Sequence, residues 1–250
     1  MRSTDIPAQT QDEVDAPAPG GAAGPGEQSL VERFQAMSHA YERRRADGVL
    51  RALDLLIAGG SLLLLSPFIM LVSALLLIGA GRPVLYRGVR VGRFGRVFTM
   101  YKFRTLSVDA EQRLGPYYGD ELTERTKHET VRFGAAIRAL HLDEVPQLAN
   151  VVRGEMSIVG PRPIRPSFFE ELCERIPQYW QRLVVRPGVT GFAQTRITRE
   201  EDWAFKLAHD LEYIADRSVL LYFRVLLATV VRVLGRVGRG ISGSGRRAEP

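Results

Sequence analysis

From Leu55 to Ala80 the chain carries no charged side chain across 26 residues. A bilayer span needs roughly 20 apolar residues, so this stretch is long enough to cross or enter a membrane. Its length makes a buried helix of a soluble protein the weakest of the options. Ser66-Pro67 sits near its middle, where proline removes a helix hydrogen bond and clashes with the preceding turn. Both flanks are basic. Arg43, Arg44, Arg45 and Arg51 precede the segment, and Arg82, Arg87, Arg90, Arg93 and Arg96 follow it. Positive residues stay preferentially on the cytoplasmic side, and if both flanks obey that tendency the segment enters and returns on one side. Two readings stand: a re-entrant helix broken at Ser66-Pro67, and a single crossing helix with a proline kink.

The overall charge of +6 is unevenly spread. Residues 1–27 hold one cation, Arg2, against five anions, so the basic excess lies in the remainder. A basic body suits phosphates, nucleic acid or an acidic membrane face. The first 27 residues are polar and acidic instead of basic then apolar, which is not the pattern of a signal peptide. Their Ala, Pro and Gly content reads as a disordered tail. Cys173 is the only cysteine, which excludes an internal disulfide and a cysteine zinc cluster.

Along the rest of the chain a helix is expected over residues 29–46, and short strands and turns over 83–102. Residues 107–128 are polar and partly loop. Arg132–Val152 reads as a helix broken near Leu142, Val159–Pro166 as extended, Ser167–Leu183 as one helix, Pro187-Gly188 as a turn and Glu200–Arg217 as a helix. Val219–Arg239 is apolar but carries Arg224, Arg232, Arg236 and Arg239 near one helical face. It is either an interfacial helix on anionic lipid or a packed terminal helix with a solvated face.

Leu142-Asp143-Glu144-Val145-Pro146-Gln147 is the most suggestive stretch for chemistry. Its ordinary explanation is capping, with Asp143 at a helix start and Glu144 complementing the dipole. Alternatively, the two carboxylates bind a divalent cation and one attacks phosphorus. Downstream, Pro161-Arg162-Pro163 holds an arginine between two prolines whose fixed φ stiffens the backbone, and a guanidinium offers a planar fork to phosphate. Arg138, Lys102 and Arg104 add cations in the same order along the chain. Each alone is as readily a solvated surface charge.

Taken in order, these blocks resemble the bacterial sugar transferases, the monotopic phosphoglycosyl transferases acting on polyprenyl phosphate. The resemblance starts at Arg51 and Asp54 and the break at Ser66-Pro67. It runs through Pro83, Arg90-Val91-Gly92, Tyr101-Lys102-Phe103-Arg104-Thr105 and Asp109-Ala110-Glu111 to the Leu142–Gln147 block. Asn150-Val151, Gly154–Ser157, Val159–Pro163, Arg186–Gly191, Ala193-Gln194, Asp210, Tyr213 and Ser218 complete it, over about residues 46–235.

The resemblance implies a mostly helical α/β single domain associated with a membrane through a re-entrant helix and surface amphipathic helices. Its parts would be a disordered tail at 1–27, an N-terminal helix at 28–46, the re-entrant helix at 47–81, a cytoplasmic catalytic domain at 82–240 and a loose tail at 241–250. The location implied is the bacterial inner membrane, with the catalytic domain facing the cytoplasm.

The reaction implied moves a phosphosugar from a UDP-sugar to polyprenyl (undecaprenyl) phosphate and releases UMP, as the first membrane step of glycan or exopolysaccharide assembly. Asp143 would be the nucleophile, Glu144 its partner and Mg²⁺ the cofactor held by both carboxylates. Arg138, Arg162, Lys102 and Arg104 would hold phosphate. Partners implied are the UDP-sugar, polyprenyl phosphate and membrane lipid, with homo-oligomerisation left open and nucleic acid not expected.

The chain departs from the family pattern at Leu140-His141, ahead of the acidic pair. It departs again at Thr195-Arg196-Ile197-Thr198-Arg199, where Arg196 or Arg199 would supply a nucleotide or sugar contact. Tyr222 stands where an aspartate is common. The alternative function is a non-catalytic membrane scaffold for glycan-assembly enzymes, which would need neither Asp143 nor Glu144.

Overall fold

The computed structural model describes residues 46–110, 113, 126–196 and 203–243, with side chains described as far as residue 235. The tail expected at 1–27 and nearly all of the helix expected at 28–46 lie outside the described residues.

The apolar segment forms two helices, α1 (Ala46–Leu64) and α2 (Ser66–Ala80), bent by 61° at a one-residue break. The break has a local cause. Pro67 has no N–H to give to the carbonyl of Leu63, four residues back, and the Ser66 hydroxyl donates to that carbonyl instead at 2.8 Å. The Ser-Pro pair therefore bends the chain without leaving that acceptor orphaned, as an apolar surrounding requires. Among the described residues no single helix is long and apolar enough to cross a membrane, but this bent pair together reaches that length. Leu56, Leu63, Leu64, Met70 and Ile78 are all more than 60% exposed on it.

The start of α1 is fastened to the body. Asp54 is buried, and its Oδ1 accepts the Ser157 hydroxyl (3.0 Å), the Ile158 N–H (2.9 Å) and the Tyr222 hydroxyl (3.0 Å). Arg51 donates to the carbonyls of Val151 (2.7 Å) and Val152 (3.1 Å) in the last turn of a later helix, where carbonyls lack a full set of helical donors. Tyr222, the departure noted in the sequence, thus closes the carboxylate's third contact.

A hairpin follows, β1 (Leu85–Val91) antiparallel to β2 (Val97–Phe103). Next come α3 (Gly134–Ala139), a 3₁₀ turn at Leu142–Glu144 and α4 (Gln147–Arg153). The break expected near Leu142 is present, and His141 makes it by adopting a left-handed conformation (φ 56°). The strand β3 (Ser157–Val159) pairs in parallel with β4 (Gly188–Thr190). The Pro187-Gly188 turn of the sequence reading is therefore displaced: Gly188 opens a strand. A Cβ on Gly188 would stand 2.1 Å from the Gly160 nitrogen, so only glycine permits that pairing.

The single helix expected at Ser167–Leu183 is instead α5 (Pro166–Arg175) followed by a 3₁₀ segment, Pro177–Val184. Pro177 forces Ile176 out of the helical region, to φ −131° and ψ 90°. The short α6 (Phe192–Arg196), then α7 (Trp203–Asp216) and α8 (Val219–Gly243) complete the order, α8 running three residues into the expected tail.

Three apolar clusters hold these elements together. One, including Phe98, Val151, Met156, Val159 and Tyr222, joins α1, β2, α4, β3 and α8. A second lies beneath α5 and the 3₁₀ segment around Phe169 and Trp180. In the third, Val72 and Leu76 of α2 pack with Phe103, Ile137 and Leu142. Among the described side chains of α8, Leu220, Phe223, Leu227, Val231 and Leu234 face outward together with Arg224, so the exposed surface is largely apolar with a cation on it.

Candidate active site

The third cluster brings the acidic pair to the bent apolar helices. Leu142, one residue before Asp143, packs against the group formed by α2, Phe103 and Ile137. Asp143 and Glu144 project from the 3₁₀ turn, and neither caps a helix through its side chain: the residue before that turn is His141, and the one before α4 is Pro146. The capping explanation of the sequence therefore does not account for them.

Lys102, on β2, places its Nζ 2.7 Å from Glu144 Oε1. Arg162 Nη2 lies 4.0 Å from the same oxygen. Burial alone would raise the pKa of Glu144, but the Lys102 and Arg162 charges outweigh it and hold the group below its ordinary value. Asp143 goes the other way. Burial raises its pKa, opposed by the Lys102 charge and reinforced by the adjacent Glu144 carboxylate. Burial lowers the pKa of Arg138, while Asp143 pulls it up. Arg138 also donates to the Thr130 hydroxyl at 2.7 Å. Two neighbouring carboxylates with opposite shifts have divergent chemical characters, a pattern typical of functional sites.

These cations are set by buried polar stitches that the sequence reading did not assign. Asn150 is wholly buried. Its Nδ2 donates to the Thr99 carbonyl (2.7 Å) and Glu155 Oε2 (2.6 Å), and its Oδ1 accepts the Tyr101 N–H (3.1 Å). That amide fixes β2, and so Lys102, against the helix that follows the dyad. The Pro161-Arg162-Pro163 loop is tied on both sides: Gly188 N–H donates to the Pro161 carbonyl (2.9 Å) and Arg182 Nη2 to the Arg162 carbonyl (3.0 Å).

Two expected residues are placed otherwise. Arg104 is buried, and its guanidinium donates to the carbonyls of Pro83 (2.5 Å), Ala80 (2.7 Å) and Gly81 (2.9 Å). It closes the end of α2 instead of facing the dyad, because helix-terminal carbonyls need donors. Arg196 pairs with Glu212 at 3.1 Å and stacks 3.9 Å over the Phe192 ring. It lines a cleft of about 320 Å³ with Glu212, Asp216, Ser218 and Arg224, none of which belongs to the dyad's surroundings. Arg199 lies outside the described residues.

A model of the bacterial sugar transferase family matches residues 45–236. The chain belongs to the bacterial sugar transferase family. It is 35% identical over 201 residues to the exopolysaccharide production protein PSS of Rhizobium leguminosarum bv. phaseoli, covering 76% of this chain and 96% of that one. The undecaprenyl-phosphate glucose phosphotransferase of Komagataeibacter xylinus is 37% identical over 215 residues, 81% of this chain and 40% of the relative. With the UDP-N-acetylgalactosamine-undecaprenyl-phosphate N-acetylgalactosaminephosphotransferase of Aeromonas hydrophila the identity is 33% over 191 residues, 75% of this chain and 44% of the relative. The chain thus spans less than half the length of the latter two relatives and nearly all of the first.

Among the described residues no group of three or more His, Cys, Asp or Glu side chains converges. The oxygen donors of the adjacent Asp143 and Glu144 nonetheless suit Mg²⁺. That ion commonly takes one or two carboxylates and completes its shell with water and substrate phosphate.

The dyad's electrostatics yield a pH expectation for this transferase-family site. If Asp143 acts ionised, activity is lost as pH falls through its pKa, which burial holds above the ordinary aspartate value. Lys102→Met removes the charge that opposes this rise. Its acid limb in a profile of kcat/KM against pH therefore moves to higher pH than that of the wild type. A limb displaced to lower pH would contradict the assignment.

Proposed function

We propose that this sugar transferase moves a phosphosugar from a UDP-sugar to undecaprenyl phosphate in two steps, with Asp143 as nucleophile. In the first, an Asp143 carboxylate oxygen attacks the sugar-bearing phosphorus, the bond from that phosphorus to the bridging oxygen breaks, and UMP departs. In the second, a phosphate oxygen of the lipid attacks the same phosphorus, the acyl-phosphate bond breaks, and the Asp143 carboxylate is regenerated. The product is a polyprenyl diphosphate-linked sugar.

The observation that carries this reading is the placement of a raised-pKa carboxylate next to Glu144 and within the fields of Lys102 and Arg138, with Arg162 4.0 Å from Glu144, immediately after a residue packed onto the bent apolar helices. Such chemistry is mostly charge management at a transferring phosphoryl group. Arg162 and Lys102 hold phosphate oxygens, and the ion pair with Lys102 keeps Glu144 anionic. The Arg138 charge offsets that of Asp143. Mg²⁺, when bound by Asp143 and Glu144, neutralises phosphate charge. The names of relatives that act on undecaprenyl phosphate support the choice of acceptor.

The bent pair α1–α2 enters one leaflet and returns, leaving the dyad on the cytoplasmic side of the bacterial inner membrane, and the apolar face of α8 rests on the same surface. The bend of 61° and the basic flanks support this arrangement. Tags at residue 40 and at residue 118, in the polar stretch of the sequence after the hairpin, are then both protected from external reagents in intact cells, and labelling of the second alone would mean a simple crossing.

The reaction is tested by incubating purified protein with Mg²⁺, undecaprenyl phosphate and a panel of UDP-sugars. UMP is expected with one sugar preferred. Release of UDP would show that sugar moves without its phosphate and would overturn the proposal.

A further inference from the structure

The helix α3 has two faces, both apolar. Its inner face, through Ile137, packs on Val72 and Leu76 of α2. Its outer side is formed by Phe133 (40% exposed), Ala136 and Leu140 (44% exposed). Phe133 stands just before the helix in a left-handed conformation (φ 67°), with Arg132 5.0 Å over its ring, and Leu140 just after the helix, so the two bulky apolar side chains bracket Ala136. Ala135 and Ala139 beside them are also exposed. A short helix facing water ordinarily carries charged or polar side chains there, and an exposed apolar face without them marks a contact surface.

The ends of this stretch say what it contacts. At one end the Phe133 ring presses on α2: a Cβ on Gly79 would lie 2.9 Å from it. Ile78, 81% exposed, continues the apolar surface into the bent helices. At the other end Leu140 stands three residues before Asp143. Between them Arg138 turns its guanidinium inward to Thr130 and the Asp143 charge. A ligand with an apolar chain joined directly to phosphate matches that sequence of surfaces. A nucleotide sugar offers no apolar chain, and the alanines leave a shallow trough between the two bulky ends.

We infer that the outer face of α3, Phe133–Ala136–Leu140, is the guide for the first isoprene units of the acceptor, leading its phosphate from the membrane helices to Asp143. The inference rests on the phosphosugar-transfer reading and adds to it the path of the lipid substrate.

The test fills the trough. Full-length Ala136→Trp in detergent is assayed with a ten-carbon prenyl phosphate, too short to report on a bilayer. The expected result is a KM for acceptor raised on the order of tenfold or more with kcat within about twofold. In parallel, a prenyl phosphate bearing a diazirine near its phosphate is photolysed with wild-type protein. Label is expected on the α3 segment and is displaced by unlabelled prenyl phosphate. An unchanged KM overturns the inference. It does so whether the variant loses vesicle affinity, which would make α3 a bilayer contact, or changes mass, which would make it a contact with a second copy. Label confined to α8 overturns it as well. Failure of the wild type to release UMP from any UDP-sugar would instead sink the transfer reading, while the photolabelling still reports where the prenyl phosphate lies.

Discussion

Asp143→Asn protein folds and inserts like the wild type, yet its turnover falls by at least about a thousandfold. The amide has nearly the shape of the carboxylate but cannot attack phosphorus. Folding should not suffer, because the contacts that set the region do not use Asp143. Lys102 bonds to Glu144, Arg138 to Thr130, and Leu142 packs on α2. A neutral amide also escapes the burial that raises the pKa of Asp143. Substituting Glu144→Gln is milder in mechanism but less clean structurally, since it removes the partner of Lys102. The measurement is product formation beside a thermal unfolding curve. A variant retaining a tenth of the wild-type rate or more would place the nucleophile elsewhere, and product from neither protein would fit the scaffold alternative.

The second large effect is on stability. Arg182 and Asp210 are joined at 2.7 Å with side chains 4% and 6% exposed. Arg182 also donates to the Tyr179 hydroxyl (3.0 Å) and the Arg162 carbonyl (3.0 Å). Asp210→Ala leaves a guanidinium in the interior without its counter-charge, which costs about 3–5 kcal/mol. The loss should reach the site, because Arg182 fastens the loop that presents Arg162. The variant is therefore expected to unfold earlier in denaturant and to show a raised KM for the UDP-sugar. Replacing both partners, Arg182→Met with Asp210→Ala, should cost less than the sum of the single substitutions. A single-variant loss below about 1 kcal/mol would mean that the pair is hydrated, contrary to its burial.

What could be read from the chain and what could not separate along physical lines. The charge-free run, its Ser-Pro interruption and the order of short motifs are local, and the bent pair, the hairpin and the break before Asp143 follow from them. Contacts between distant residues left no local trace. Asp54 reaches Ser157 and Tyr222 across more than a hundred residues, and nothing near Tyr222 announces a phenol aimed at a carboxylate. Asn150 was visible as a motif residue, but its three bonds to β2 and Glu155 exist only once α4 lies on the hairpin.

Arg104 stands two residues after Lys102, a spacing that would put both on one face of a continuous strand, but β2 ends at Phe103. Lys102 reaches Glu144 from within the strand, while Arg104, beyond its end, turns to the end of α2. His141, unexplained in the sequence, supplies a positive φ that turns the chain between α3 and the dyad. The hydrophobic period runs on through Pro177, and the proline itself is the local signal of the break.

The central claim is that a phosphorus bond passes through the protein itself. Its most direct measurement uses a UDP-sugar labelled in the phosphate attached to the sugar, mixed with protein and Mg²⁺ before any lipid is present. The account expects UMP in an amount stoichiometric with protein, label retained on the chain at Asp143, and discharge of that label when undecaprenyl phosphate is added. No retained label, with UMP appearing only once both substrates are present, would contradict it.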